Sequence, residues 1–321
     1  MHIDHVAVIG AGAWGTALAQ AAALAGRRVT LCGRDMAVIA DINGTHRNQR
    51  YLGDVTLSEA ITAAAVVPLA DLVILAVPAQ QTRSALAAAA PQLRGRPVVL
   101  SAKGLEQGTL KRQSEILAET VPDATAFVLS GPSFAHDVAA GRPTAVTLAG
   151  VDEEQAFTVA AALAGPTFRP YAAGDIIGVE LAGALKNIYA LACGAVEGAG
   201  LGASARSALL ARAFAELSRF VAALGGSPAT LTGLAGLGDL TLSCTSPDSR
   251  NYRYGMSLGA GMPPGQALAE GVATAPVAQR LAEQLGIDAP LVHAVNLLLA
   301  GRSSIGEIVS GLMARPLKRE D

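Results

Sequence analysis

The chain has 321 residues, 51% hydrophobic and 16% charged, and a formal net charge of -2. That length accommodates two domains around a large core, and the composition excludes long disordered tails. So small a net charge gives no field for nucleic acid or an anionic membrane, and neither is an expected partner.

Cys32, Cys193 and Cys244 are scattered without metal spacing, so they read as buried thiols of a reducing compartment and no metal is expected. No basic segment followed by an apolar one opens the chain, and no uninterrupted apolar stretch reaches the length of a membrane span. The expected location is the cytoplasm.

Residues 6–9 are an apolar run, followed by Gly10-Ala11-Gly12-Ala13-Trp14-Gly15 and an Ala-rich helical pattern to about residue 25. Strand, tight turn and helix in this order make a dinucleotide-binding unit. The first Gly permits the turn, the second lets the backbone approach a pyrophosphate, and the third lets the helix pack on the strand. The phosphates then rest on free N–H groups at the helix N-terminus. The pattern is weak by itself in a chain with 35 Gly; a second strand at 28–32 supplies the context. The end of that strand faces the adenosine ribose, where NAD-preferring sites carry an acid. Here Arg34 precedes Asp35, which favours a 2′-phosphate and NADPH while Asp35 leaves NAD open. An exposed loop cation is the alternative reading of Arg34.

Residues 72–77 and 98–101 are continuous apolar runs, the pattern of parallel strands buried on both faces. Their alternation with helical segments implies right-handed βαβ units and an α/β fold, a Rossmann-like doubly wound parallel sheet with ligands beyond its strand carboxyl ends. Val77-Pro78-Ala79 and Ala102-Lys103-Gly104 stand at such ends. Residues 127–129 lead into Ser130-Gly131-Pro132-Ser133-Phe134-Ala135, where Ser133 is placed to cap a following helix. That loop reads either as an oxyanion or hydroxyl cradle or as an ordinary capped turn. From Asp175 onward helical runs dominate, so the expected organisation is a dinucleotide-binding domain at 1–180 and a mostly α-helical domain at 181–321. Gly and Pro cluster at 259–265 as an interhelix loop.

Among 24 Lys and Arg, only Lys103, Lys111, Lys186 and Lys318 are Lys. An amine can be tuned by burial to lose its proton, whereas a guanidinium cannot, so each Lys is informative. Lys318 in a polar tail and Lys111 beside Arg112 in a surface-like helix read as solvated. Lys186 lies in a helical run over 179–190, with Ala182, Gly183, Tyr189 and Ala190 one turn away. None is acidic, so Lys186 is expected to be desolvated without a local counter-charge, its pKa lowered toward that of a general base; the alternative is a Lys reaching to solvent. Residues 234–240 hold too many Gly for a regular helix and deliver Asp239 from a flexible, apolar setting. Ser249-Arg250-Asn251 offers a guanidinium fork and an amide suited to a phosphate.

Together G-A-G-A-W-G-T-A-L-A, S-A-K-G-L-E, S-G-P-S-F-A, V-E-L-A-G-A-L-K-N, G-L-A-G-L-G-D-L and S-R-N, in this order over nearly the whole chain, resemble the NAD(P)-dependent glycerol-3-phosphate dehydrogenases of bacterial type. The resemblance implies a Rossmann domain, a helical domain and an active site between them. It further implies reversible hydride transfer between NADP or NAD and dihydroxyacetone phosphate, giving sn-glycerol 3-phosphate for phospholipid synthesis, and a homodimer. Carried onto this chain, Lys186 is the proton donor or acceptor at the C2 oxygen, with Lys103 beside it and Asp239 holding both substrate and Lys186. Gly131 and Ser133 contact substrate, and Ser249, Arg250 and Asn251 lie near its phosphate and the cofactor. Gly10, Gly12, Ala13, Trp14, Gly15, Arg34, Lys103, Ala135, Leu268 and Glu270 line the cofactor site. The chain departs from the family at Tyr252, commonly Arg, and at Val272-Ala273-Thr274, which lacks a basic residue often found there. Two other readings remain: another dehydrogenase of this plan, such as a β-hydroxyacid or ketopantoate reductase, and a non-catalytic sensor of cofactor ratio.

Overall fold

The computed structural model describes residues 2–265 and 268–316, and Lys318 lies outside them. The first part alternates strands and helices: β1 (His5–Ile9), α1 (Ala13–Leu24), β2 (Arg28–Cys32), α2 (Met36–Thr45), α3 (Gln49–Leu52), β3 (Ile61–Ala64), β4 (Leu72–Leu75), α4 (Thr82–Leu93) and β5 (Pro97–Leu100). It continues through α5 (Gln113–Thr120), β6 (Thr125–Ser130), α6 (Ala135–Ala139), β7 (Thr144–Gly150), α7 (Glu153–Leu163) and β8 (Phe168–Ala173). After that, only helices follow: α8 (Ile176–Gly198), α9 (Gly202–Ala223), α10 (Asp239–Thr245), α11 (Arg250–Gly259), α12 (Glu270–Leu285), α13 (Pro290–Leu299) and α14 (Ile305–Met313).

The eight strands form one sheet in the order β3-β2-β1-β4-β5-β6-β7-β8. The apolar runs expected to be buried on both faces are so: Val6, Val8, Leu72, Ile74, Val98 and Val99 are inaccessible to solvent. Order and strand direction are those of a Rossmann-like sheet from β3 to β6. The all-parallel expectation fails at one place, because β7 runs antiparallel to β6, and β8 then runs parallel to β7. The connection, residues 131–143, contains only the five-residue α6, which advances about 8 Å against the roughly 20 Å length of β6.

Three apolar clusters fill the molecule, one on each sheet face and a third around α8. The 23 residues of α8 extend the expected helix at both ends, and Asp175 caps it by accepting from the Gly178 N–H at 2.8 Å. By length and mean hydropathy α8 could cross a bilayer, but Glu180 and Lys186 interrupt its apolar run and 83% of that window is buried inside the protein. It is the spine of the helical part. Against it α11 packs backbone to backbone: a Cβ on Gly194 would meet the Tyr252 carbonyl oxygen at 2.0 Å, and one on Gly255 would meet that of Leu191 at 2.0 Å.

Candidate active site

The turn after β1 assigns each glycine a separate task. Gly10 has φ +116°, and a Cβ there would stand 2.6 Å from the Ala76 carbonyl oxygen at the end of β4. On Gly15 a Cβ would strike the Gly10 carbonyl oxygen at 1.8 Å. Around Gly12, in contrast, nothing lies within 4 Å of the Cβ position. Gly12 caps α1 without a side chain, so the first-turn N–H groups of Ala13, Trp14 and Gly15 face an open cradle. Half-buried Trp14 packs against the sheet core beside Ala135, and its indole N–H is buried without a partner. These features fit a dinucleotide's phosphates. Arg34 stands exposed at the end of β2 and reaches Gln81 at 3.4 Å.

Beyond the carboxyl ends of β5 and β6 the chain gathers its chemistry. Lys103 donates to the Gly131 carbonyl oxygen at 3.1 Å and to Asp239 Oδ2 at 2.7 Å. Lys186 donates to Asp239 Oδ1, and to Ser243 Oγ at 2.7 Å. Lys186 and Asp239 are both buried, whereas Lys103 keeps a small solvent-accessible fraction. One carboxylate between two ammonium groups leaves a net positive charge, suited to an oxygen that becomes negative. Burial pulls the Lys186 amine down to about 8, with the Asp239 charge opposing and the Lys103 charge assisting. Burial disfavours the Asp239 charge too, but Lys103 and then Lys186 outweigh it and hold the carboxyl below its ordinary value. Of the two groups, the carboxyl is thus held toward its charged form and the Lys186 amine toward its neutral one.

The expectation that Lys186 lacks a counter-charge is corrected here. It holds along its own helix, but Asp239 arrives from the start of α10, 53 residues away. Nor is Asp239 in a flexible setting: a π-helical turn over Leu234–Gly238 packs into place, where a Cβ on Gly236 would meet the Leu231 carbonyl oxygen at 2.1 Å. Ser133 does not cap α6; the cap position falls on Phe134, and the Ser133 hydroxyl donates to the Gly131 carbonyl oxygen at 2.9 Å. Lys111 is not helical but lies in the loop before α5, paired with Glu119. Gly131, at φ +147°, has no room for a Cβ, which would stand 2.8 Å from Val146 Cα.

Ser249 caps α11 through the Tyr252 N–H, and Asn251 points inward. An amide chain runs from there: the Gly271 N–H donates to Asn251 Oδ1, Asn251 Nδ2 to Asn187 Oδ1, and Asn187 Nδ2 to the Lys103 carbonyl oxygen, each at 2.9 to 3.0 Å. The start of α12 is thereby tied to the Lys103 backbone. Glu270 also accepts from the Ala79 N–H at 3.3 Å, and burial raises its pKa against that bond and the charge of exposed Arg250. Leu268, half exposed, precedes it. Arg34 and Arg250 stay outside the lysine cluster. Sequence reasoning missed Ser243 and Asn187. Their signals were present: Ser243 follows Asp239 by one helical turn, and Asn187 adjoins Lys186.

Comparisons with known proteins agree along the full chain. Residues 5–156 match the family model for the N-terminus of NAD-dependent glycerol-3-phosphate dehydrogenase, and residues 175–310 match the model for its C-terminus. A relative from Caulobacter vibrioides named glycerol-3-phosphate dehydrogenase (NAD(P)+) is 50% identical over 330 aligned residues, covering 100% of both chains. One of the same name from Brucella canis is 50% identical over 98% of this chain and 99% of its own. The crystal structure of glycerol-3-phosphate dehydrogenase from Coxiella burnetii superposes with a TM-score of 0.90 at 34% identity, covering 98% of this chain and 99% of that one. With its dinucleotide turn and its buried Lys–Asp–Lys cluster, this chain belongs to the NAD-dependent glycerol-3-phosphate dehydrogenase family.

Proposed function

We propose that Lys186 is the acid–base group for interconversion of dihydroxyacetone phosphate and sn-glycerol 3-phosphate, and the Lys103–Asp239–Lys186 cluster is the observation that carries this reading. The nicotinamide cofactor, when bound, supplies the hydride. Lys186 holds the proton destined for the C2 oxygen, and its ammonium stabilises the charge that oxygen acquires. Asp239 fixes both lysines in place, and Ser243, one turn along α10, holds the Lys186 amine beside it. Gly131, Ser133 and the Lys103 amine form the wall against which the substrate rests. Arg250 is read as the phosphate cation, because its exposed guanidinium stands beside Glu270 at the cofactor edge. Ser249 and Asn251 support it from within.

Arg34 at the end of β2 supports a preference for NADPH. In this reading residues 1–180 bind the cofactor and residues 181–321 supply the proton-handling groups. The product serves glycerophospholipid synthesis in the cytoplasm, a location suited to three free buried thiols. A homodimer is the proposed assembly, supported by the exposed apolar side chains of Phe157, Tyr171 and Met313.

A substrate screen tests the reading. NADPH and NADH oxidation are followed in parallel with dihydroxyacetone phosphate, ketopantoate and β-ketoacids. The expected result is turnover with dihydroxyacetone phosphate alone, faster with NADPH. Preference for a ketoacid, or binding of NADPH without turnover of anything, would overturn it.

A further inference from the structure

The corner where the cofactor's ribose is expected contains a carboxylate with a partner on each oxygen. Asp35 is the acid that in an NAD-type site would accept from the ribose hydroxyls. Here its Oδ1 accepts from the Ala37 N–H at 2.9 Å, capping α2, and its Oδ2 is paired with Arg50. The Arg50 guanidinium also lies over the Tyr51 ring, 5.5 Å from its centroid, so it is held by a stacking contact as well as by charge.

The four residues of α3, which carry Arg50, are fastened to the dinucleotide turn. Fully buried Asn48, just before α3, donates to the Ala11 carbonyl oxygen at 3.0 Å and to Thr16 Oγ at 2.7 Å. Asp41 accepts from the Gln49 N–H at 2.9 Å. On the other side, the end of β2 abuts the same turn, for a Cβ on Gly33 would meet Ala11 Cβ at 2.8 Å. Arg34 and Arg50 therefore flank Asp35 in a corner built against the phosphate-binding turn.

We infer that Arg50 is a specificity-determining residue for the cofactor: by occupying Asp35 it removes the acceptor that would recognise a ribose hydroxyl and cancels the charge that would repel a 2′-phosphate. This rests on the reading of Arg34 as the 2′-phosphate ligand. Arg50 acts through Asp35, and the pair converts an acid in the NAD position into a neutral helix cap. Because the pair is more than a third exposed, solvent screening limits its effect.

The test measures kcat/KM for NADPH and NADH at saturating dihydroxyacetone phosphate in wild type, Arg34→Ala, Arg50→Gln, Asp35→Asn and the Arg50→Gln/Asp35→Asn double variant. Asn caps a helix as well as Asp, so α2 is retained. Arg50→Gln is expected to lower the NADPH-to-NADH ratio about three-fold, the range of a solvent-screened charge pair, and adding Asp35→Asn is expected to restore part of it. An unchanged ratio, an equal loss for both cofactors, or a fall that Asp35→Asn leaves untouched overturns the inference. Arg34→Ala separates the two failures: if it leaves the ratio unchanged, the reading of Arg34 fails, whatever Arg50 does.

Discussion

Lys186 is ordinary in its helix and unusual in its surroundings. Its neighbours one turn away are apolar or small, and burial pulls its amine to about 8, against an ordinary value of 10.5. The pH dependence follows from the proton's direction of travel. Reduction needs the ammonium, so kcat for dihydroxyacetone phosphate is full below that value and falls roughly ten-fold per unit above it. Oxidation of glycerol 3-phosphate needs the free amine and gains over the same interval. Initial rates in both directions between pH 6.5 and 9.5 check this, and parallel profiles would contradict it. The sequence revealed the rarity of Lys and the small neighbours of Lys186. Asp239 beside the amine came only with the family resemblance; helical spacing around Lys186 could not reveal it, because that contact joins residues 53 apart through the packing of α10 on α8. Asp35 was legible as an acid near the ribose, but its commitment to Arg50 and the α2 cap was not, since both depend on where α3 docks.

At the level of elements, glycines of identical appearance in the sequence do opposite things. Gly194 and Gly255 let α8 and α11 touch through their backbones, whereas Gly12 borders open space. Gly194→Ala forces a Cβ to within 2.0 Å of the Tyr252 carbonyl oxygen, and should destabilise by about 3 kcal/mol, the upper end of overpacking costs. Gly12→Ala should leave the melting temperature unchanged while weakening cofactor binding, because the added methyl projects into the phosphate cradle. Thermal unfolding and a NADPH fluorescence titration on both variants check the pair. If Gly12→Ala melts early or binds NADPH as wild type does, the open space belongs to no ligand. Strand signals show the same division. The buried runs of β1, β4 and β5 were legible because both faces are apolar. β3 and β8 were not, since Ile-Thr-Ala-Ala and Phe-Arg-Pro-Tyr-Ala-Ala lie at the sheet edges and need only one covered face. The reversal at β7 was hidden as well, because no residue of the strand itself signals its direction.

For the whole molecule, the sheet places a dinucleotide turn and Lys103 beyond its strand carboxyl ends, and α8 brings Lys186 beside Lys103 through Asp239. Motifs far apart in the chain had a common destination, so the family was readable before the fold, as were Lys103, Lys186 and Asp239, which the fold brings together. The amide chain from Gly271 through Asn251 and Asn187 to Lys103 was not, because it depends on three helices meeting. The central claim is that the Lys186 amine supplies the proton. Replacing Lys186 by Met keeps the length and the helix, and Asp239 remains compensated by Lys103, so the fold should survive. The decisive measurement is kcat with dihydroxyacetone phosphate for Lys186→Met, beside a fluorescence titration of NADPH, on protein whose circular dichroism matches wild type. The account predicts kcat lower by roughly 10²- to 10⁴-fold with NADPH affinity retained. A variant that keeps more than about a tenth of wild-type kcat, well outside that range, would contradict it and move the proton to Lys103.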